Sequence, residues 1–478
     1  MVGRAAAVTA SELRRALVTR PAAARPALEL ALLRVEDRDD EAAGRLVRSA
    51  LRLRPHWPAA LRLDVRLRAR AGISDLIGDL RRLLVQVPSD STSWTGLARL
   101  RLAGSDGAGA ARALRRATGR RPIAAGRATT DDLFGLPAVR LASLSRPARC
   151  RVRGGRPDDP HDSFDIAPRL AWIGDALVMP EKWVVLVDRR HLLIDETNHN
   201  PDEIVPELTS IKAATEQRYL IDLDRPLVRI DEPVALLGGN ANYFHWLVDY
   251  LPRLATLARA GVVRDVRLMV PDDLPAFARE SLALLGIGPD RLVTVAPDRL
   301  YEVTRLLLPT QLARWGFVHP WAVEWLRGRF RLRTPPGPDA PRRLYLSRRD
   351  ATRRRLRDEP ALERALERRG FQTIAPGSLG LLQQIRLMAG AEVVVGVHGA
   401  GLANLLFAPR GATVVEITSA AYRTSYFANL AGLLDQHYRS VTATVVADPA
   451  GMPREADLAL GADGIAALLD ELANVAQI

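Results

Sequence analysis

The chain is short of several things. Its 478 residues include one cysteine, Cys150, and two lysines, Lys182 and Lys212. A single thiol excludes an intramolecular disulfide and a cysteine-cluster zinc site. No stretch reaches about 18 uncharged apolar residues. The best candidate, residues 392–417, is interrupted by His398, Gly399, Gly401 and Asn404. The opening "MVGRAAAVTASELRRAL" carries charge early and has no sustained apolar run, unlike a secretion signal. A soluble, cytoplasmic protein is the expectation. Neither G-x-G-x-x-G nor a Walker A loop occurs, which weakens dinucleotide and P-loop readings.

What is present needs discounting too. The net charge of +13 is almost all arginine, and alanine is abundant, so it reads as compositional bias. No zinc-finger spacing or aromatic-basic pattern accompanies it, and nucleic acid is not an expected partner. An anionic ligand stays compatible, as does a peripheral position at the inner face of a membrane, though no amphipathic anchor is evident. With 47% hydrophobic residues the chain can build two or three domains with real cores.

Pro21, Pro55, Pro88 and Pro122 recur at intervals of 34, 33 and 34 residues. Apolar-periodic segments lead to the last three ("LVRSALRLRP", "LRRLLVQVP", "ARALRRATGRRP"), and further helical runs follow Pro55 and Pro88. Helix, turn, helix, proline at this period resembles tetratricopeptide repeats over residues 21 to 122. Trp94, Leu97, Ala98, Ala110, Leu114, Ala117 and Pro122 carry the signature, and Arg101 stands where an aromatic residue is usual. The alternative is a plain helical bundle. Stacked repeats would offer a concave face to a protein partner.

Residues 123–165 are poor in pattern, and their stretch rich in Arg, Gly, Pro and Asp has linker or surface-loop chemistry. From about 166, short β-branched runs, then strands alternating with helices, predict an α/β fold with parallel strands. The proline-rich 334–341 reads as a hinge before a second βαβ series. The expected domains are 1–125, 126–335 and 336–478, with a ligand cleft between the two α/β parts.

Three constellations carry chemistry. "EVVVGVHGAGLANLLFAPRGATVVEI" reads as a strand feeding a helix, whose first amides near Ala400, Gly401 and Leu402 would face an anion. Gly399 and Gly401 permit close backbone approach, His398 can donate to a phosphate or ribose, and Glu416 can accept from ribose hydroxyls. On the loop alone, phosphate binding and a merely structural turn stand about even. "YLSRRD" brings Ser347 and Arg348 to the same sheet edge, where arginine offers a bidentate fork. The "RRR" at 353–355 reads as solvated surface. In "GGNANYFHWLVDYLPRL", Asn242 reads as an N-cap for a helix from Tyr243, and His245 and Asp249 share one helical face. A carboxylate beside an imidazole orients it for base chemistry. Taken alone, the pair reads more readily as a partly buried histidine with a surface aspartate.

In this order and spacing these motifs resemble glycosyltransferase family 61, over residues 165 to 445. Its bacterial members are often described as capsular polysaccharide biosynthesis proteins of the cell envelope. The resemblance implies a GT-B fold, two Rossmann-like domains, and inverting, metal-independent transfer of a hexosyl or pentosyl group from a nucleotide sugar, usually UDP-linked. No cofactor is expected, and "DLD" at 222–224 reads as a surface coincidence and not a metal motif. Carried over by position, Ser347, Arg348, His398, Gly399, Ala400, Gly401 and Glu416 fall on the donor side. Asn242, Tyr243 and Trp246 fall on the acceptor side, and His245 is the expected base, oriented by Asp249. Asp249 stands where the family more usually has glutamate. The acceptor would be a polysaccharide, glycolipid or glycoprotein. Two alternatives stay open: an interaction protein that binds nucleotide without turnover, and a dinucleotide enzyme.

Overall fold

The computed structural model describes residues 10–19, 24–72, 76–129, 132, 139–143, 148–151, 163–194, 197, 205–314, 317–333, 340–419, 421–422, 424–447 and 452–475. Pro21 and most of the expected linker and hinge lie outside these residues. Within the linker, Ala148–Arg151 and Ser163–Ile166 pair as a short antiparallel ladder.

One compact unit comprises Met1–Arg127 with Arg189–His191 and Val205–Asp224. After a first helix, Ala10–Thr19, it is built from three helix pairs: Ala24–Glu36 with Asp40–Leu53, Pro58–Arg70 with Ile77–Gln86, and Ser91–Ala103 with Gly107–Thr118. The pairs open 34 and 33 residues apart, matching the proline period. Pro55 and Pro88 sit in the turns between helices, where a residue without an N–H ends one helix at no cost to the next. Ala31, Ala43, Ala50 and Ala60 are fully buried and let helices approach closely. Leu97, Ala98, Ala110 and Leu114 join a second core, while Trp94 donates Nε1–H to Pro88 O at 2.8 Å.

Pro122 introduces a strand, Ile123–Ala128, which pairs antiparallel with Arg218–Ile221; that strand also pairs with Ile211–Ala214. Leu220 packs among the helix leucines, so residues 205–224 fold with the helical unit although the sequence groups them with the α/β part. The "DLD" segment lies here, and Asp222 is not on the surface. It is buried, paired with Arg120 at 2.5 Å and near Lys212, and its Oδ1 accepts from the Asp224 amide. The two aspartates serve a local ion pair.

The second unit, Ala128–Asp188, Leu192–Ile204 and Arg225–Ile478, holds two large sheets among its described residues. In the first, Leu227–Leu236, Arg267–Pro271, Leu292–Val295 and Leu300–Pro309 run parallel, in the spatial order third, second, first, fourth. Arg169–Met179 then extends the sheet antiparallel, with Val184–Val187 and Val139–Ser143 paired to it. The expected parallel sheet is therefore mixed. In the second sheet, Arg343–Leu346, Gln372–Ile374, Val393–Val397, Thr413–Ser419 and His437–Ala447 are parallel, in the order second, first, third, fourth, fifth. Asp457–Ala459 closes it antiparallel. Both orders reverse beside their first strand, and ligands in open α/β sheets sit at such reversals, beyond the strands' carboxyl ends. Among the described residues no helix is long and apolar enough to cross a membrane.

Candidate active site

The first reversal is followed by the His-Trp segment. Gly238 and Gly239 leave Leu227–Leu236 with positive φ (78° and 146°), and a Cβ on Gly238 would crowd Tyr250 and Arg253. Asn242 caps as expected, accepting from the amides of Phe244 at 2.9 Å and His245 at 3.3 Å. The long helix expected from Tyr243 does not form. One turn, Tyr243–His245, passes into a π turn, Trp246–Tyr250, where Leu251 N bonds Trp246 O five residues back. Pro252 supplies the reason: it has no N–H to return to Val248, and the regular ladder breaks before it. Helix resumes at Arg253–Arg259.

On this turn His245 Nδ1 lies 2.6 Å from Asp249 Oδ2. The aspartate is the buried member, 4% exposed, and the histidine is 23% exposed. The histidine is partly buried as the structural alternative expected, but the aspartate is not on the surface. Trp246 is fully buried and donates Nε1–H to Ser281 Oγ at 2.8 Å, so its indole packs in the core and cannot touch an acceptor. Arg253 lies behind the turn, fully buried, donating to Leu237 O, Thr197 O and Gln311 Oε1. Burial lowers its pKa to about 10, still charged at neutral pH.

The second reversal lies between Arg343–Leu346 and Val393–Val397. Ser347 and Arg348 leave the first of these strands; His398 and Gly399 leave the second. A side chain at Gly399 would overlap Arg348 Nη1, so the glycine is what lets the guanidinium lie against this backbone. Arg348 is largely enclosed. It donates through Nε to Arg354 O (3.2 Å) and through Nη2 to Arg353 O (2.7 Å), and forms no ion pair with a carboxylate among the described residues. Burial, then the charge of Arg354, lowers its pKa to about 10. A partly buried guanidinium that meets two carbonyls, with Asp350 and Glu359 acting on it only without an ion pair, gains from an anion that joins it.

The helix expected after the glycine loop is a seven-residue 3₁₀ segment, Ala400–Leu406. Its tighter winding already uses the Leu402 amide, which bonds Gly399 O at 2.9 Å, so Leu402 drops from the expected set of free donors. Glu416 is also placed differently from the ribose-contacting role. Fully buried, its two oxygens meet His398 Nδ1 and the Tyr438 hydroxyl (2.5 Å). Burial and this carboxylate push the Tyr438 phenol up, keeping it a donor. Ser347 Oγ, nearly buried, accepts from Arg349 N and Nε.

A cleft of about 620 Å³ joins these parts; Asn242, Tyr243, Ser347, Arg348, Ala400 and Gly401 line it. His245, Asp249, His398, Gly399, Glu416 and Trp246 do not. The two histidines are linked through rings: His245 against Phe244, Phe244 against Phe427, Phe427 against His398, with centroids 5.6, 5.5 and 5.2 Å apart. Tyr243 OH donates to Asn404 Oδ1 (2.7 Å), and Asn404 Nδ2 donates to Gln384 Oε1 and Gly401 O, tying the His-Trp segment to the glycine loop. The sequence did hold a signal for this network: an asparagine inside the apolar run "LANLLF". Among the described residues no group of three or more His, Cys, Asp or Glu side chains could hold a metal.

Residues 243–415 match the model of the family described as Glycosyltransferase 61, a stretch that takes in both histidines, Asp249 and Arg348 and stops one residue before Glu416. The chain is also 31% identical over 97 residues to beta-1,2-xylosyltransferase RCN11 of Oryza sativa subsp. japonica, a match covering 20% of this chain and 15% of that protein. Both matches are to glycosyltransferases. Among solved structures, MamA is similar at 14% identity (TM-score 0.22, 23% of this chain, 65% of that one). YrrB, a TPR protein with an unusual peptide-binding site, is similar at 16% identity (TM-score 0.22, 23% and 58%). Overlap at that level does not assign a fold.

Proposed function

We propose that this protein is an inverting, metal-independent glycosyltransferase that takes a sugar from a nucleotide sugar, UDP-linked, to a hydroxyl of a surface polysaccharide, glycolipid or glycoprotein. The observation that carries the reading is Arg348, a largely enclosed guanidinium with no carboxylate in ion-pair contact among the described residues, at the chain reversal of the second sheet and beside the glycine loop. Sheets that each carry a site motif at their reversal support a GT-B-like pairing.

The chemistry follows from charge. Asp249 accepts Nδ1–H of His245, which leaves the Nε2 lone pair to take the acceptor's proton. The acceptor oxygen bonds the anomeric carbon as that carbon's bond to the diphosphate oxygen breaks. The electron pair leaves with the nucleoside diphosphate. Arg348 and the amides of Ala400 and Gly401, which line the cleft, meet that growing charge, with the His398 ring behind them. Glu416 and Tyr438 hold the His398 ring, so they act through it.

The helical unit suits a second task. Its groove of about 830 Å³ has apolar walls including Leu32, Leu63, Leu76 and Leu80, with Arg66 and Arg99 on the lining. Read as tetratricopeptide-like, it is the surface on which a polypeptide partner or glycoprotein acceptor docks.

Calorimetric titration with UDP in EDTA, with GDP and NAD as controls, tests the donor assignment. UDP binding that weakens by about 30-fold or more in Arg348→Ala is expected from loss of charge-assisted bonds. NAD binding alone would reject the reading in favour of a dinucleotide enzyme.

A further inference from the structure

Three arginines in a row, 353 to 355, have separate fates. Arg353 pairs with Glu455 and is 61% exposed; Arg355 pairs with Asp457 and is 50% exposed. Arg354 turns inward. Its backbone is left-handed (φ 53°), an unfavourable conformation for a bulky side chain. Its guanidinium lies 5.2 Å over the Tyr422 ring, and Tyr422 meets the His398 ring edge-on at 5.1 Å. Arg354 Nε is buried with no hydrogen-bond partner, while the Tyr422 hydroxyl and the charge of Glu455 favour the protonated side chain. Its carbonyl accepts from Arg348 Nε, and both residues line the same cleft.

We infer that Arg354 is the second cation of the anion site, so that a diphosphate is gripped by Arg348 and Arg354 together. The inference rests on the nucleotide-sugar reading for its ligand, and on this geometry for the site itself. Two like charges enclosed side by side repel, and the enclosure lowers the proton affinity of each. An unpaired buried donor adds to the cost. A ligand carrying two adjacent phosphates relieves the repulsion and the cost of enclosing both charges together, whereas a monophosphate reaches one guanidinium. The cleft's acids compensate only in part: Glu280 accepts from the Leu381 amide at 2.6 Å, and Asp350 favours the charged Arg348 without forming an ion pair with it.

Calorimetry with UDP, UMP and inorganic pyrophosphate decides it, on the full chain and on Arg354→Gly, Arg354→Lys and Arg355→Ala. Glycine accepts the left-handed backbone, so Arg354→Gly removes the guanidinium without loading the turn, and a thermal melt checks that it stays folded. UDP and pyrophosphate are expected to weaken by about 30-fold in Arg354→Gly, with UMP changed by less than about threefold. Lysine should restore part of the loss, and Arg355→Ala should bind as the parent does. If Arg354→Gly binds UDP and pyrophosphate unchanged, the second cation is wrong while the donor assignment stands. If the parent binds pyrophosphate through Arg354 but no nucleotide, the anion site stands and the nucleotide-sugar reading falls. Binding of neither overturns both.

Discussion

His245 with Asp249 and His398 with Glu416 make the same contact, imidazole Nδ1 to carboxylate, in opposite settings. The first pair is four residues apart on one turn, and its histidine stays partly open. The second joins neighbouring parallel strands eighteen residues apart, with both members buried and Tyr438 holding the far carboxylate oxygen. A ring that can still reach solvent can exchange a proton with an incoming acceptor. A ring clamped by Glu416 and packed against Tyr422 and Phe427 is held in one orientation. The shared contact does not assign a role; the surroundings do.

The largest effect should come from breaking the open pair. His245→Ala is expected to lower transfer by about 10²–10⁴-fold, the range of general-base removal, with UDP affinity unchanged. His398→Ala should instead lose UDP affinity along with turnover. Steady-state kinetics beside calorimetry separates the two; identical profiles would erase the distinction between the pairs.

Making the same neutral change in each carboxylate sharpens the contrast. Glu416→Gln leaves a fully buried site with a weaker acceptor for two donors and should cost about 2 kcal/mol in a urea melt. Asp249→Asn should cost less stability, because its histidine is partly hydrated, but more turnover, because the ring loses the acceptor that fixes its tautomer. Tyr438→Phe is milder still: about 1 kcal/mol of stability and a turnover loss under about tenfold, since Glu416 still holds the ring.

How much of this was legible in the sequence follows the same division. Local features were: the helix period, the strands, the Asn242 cap and the spacing of His245 and Asp249 are fixed by neighbours within a few residues. Features set by strand adjacency were not. Glu416 ends a strand, where a carboxylate can meet a ribose, yet the parallel register sets Gly396 opposite Glu416 and brings the carboxylate to His398. Trp246 sits beside a site histidine in sequence, but the turn sends it into the core. Arg354 looked like its two neighbours because composition hides which of three arginines turns inward; only a left-handed backbone separates them. The π turn was hidden as well, although Pro252 was in view.

The smallest expected effect concerns pH and isolates the arginines from the histidines. Arg348 has a folded pKa of about 10, lowered chiefly by burial. Below that pH it is charged in both folded and unfolded chains, so the cost of burying the charge is fully present there. The cost is relieved as pH rises through 10 toward the unfolded value, where the unfolded chain holds the proton more tightly. An anionic ligand favours the protonated form, so its binding runs the other way. UDP affinity should be flat from about pH 7 to 9 and fall above about 10, by at most about tenfold per unit. Titrations across that range, repeated with Arg348→Lys, check the sign. Any change in turnover between pH 6 and 9 at constant UDP affinity then arises outside Arg348, and its disappearance in His245→Gln would assign it to the open pair.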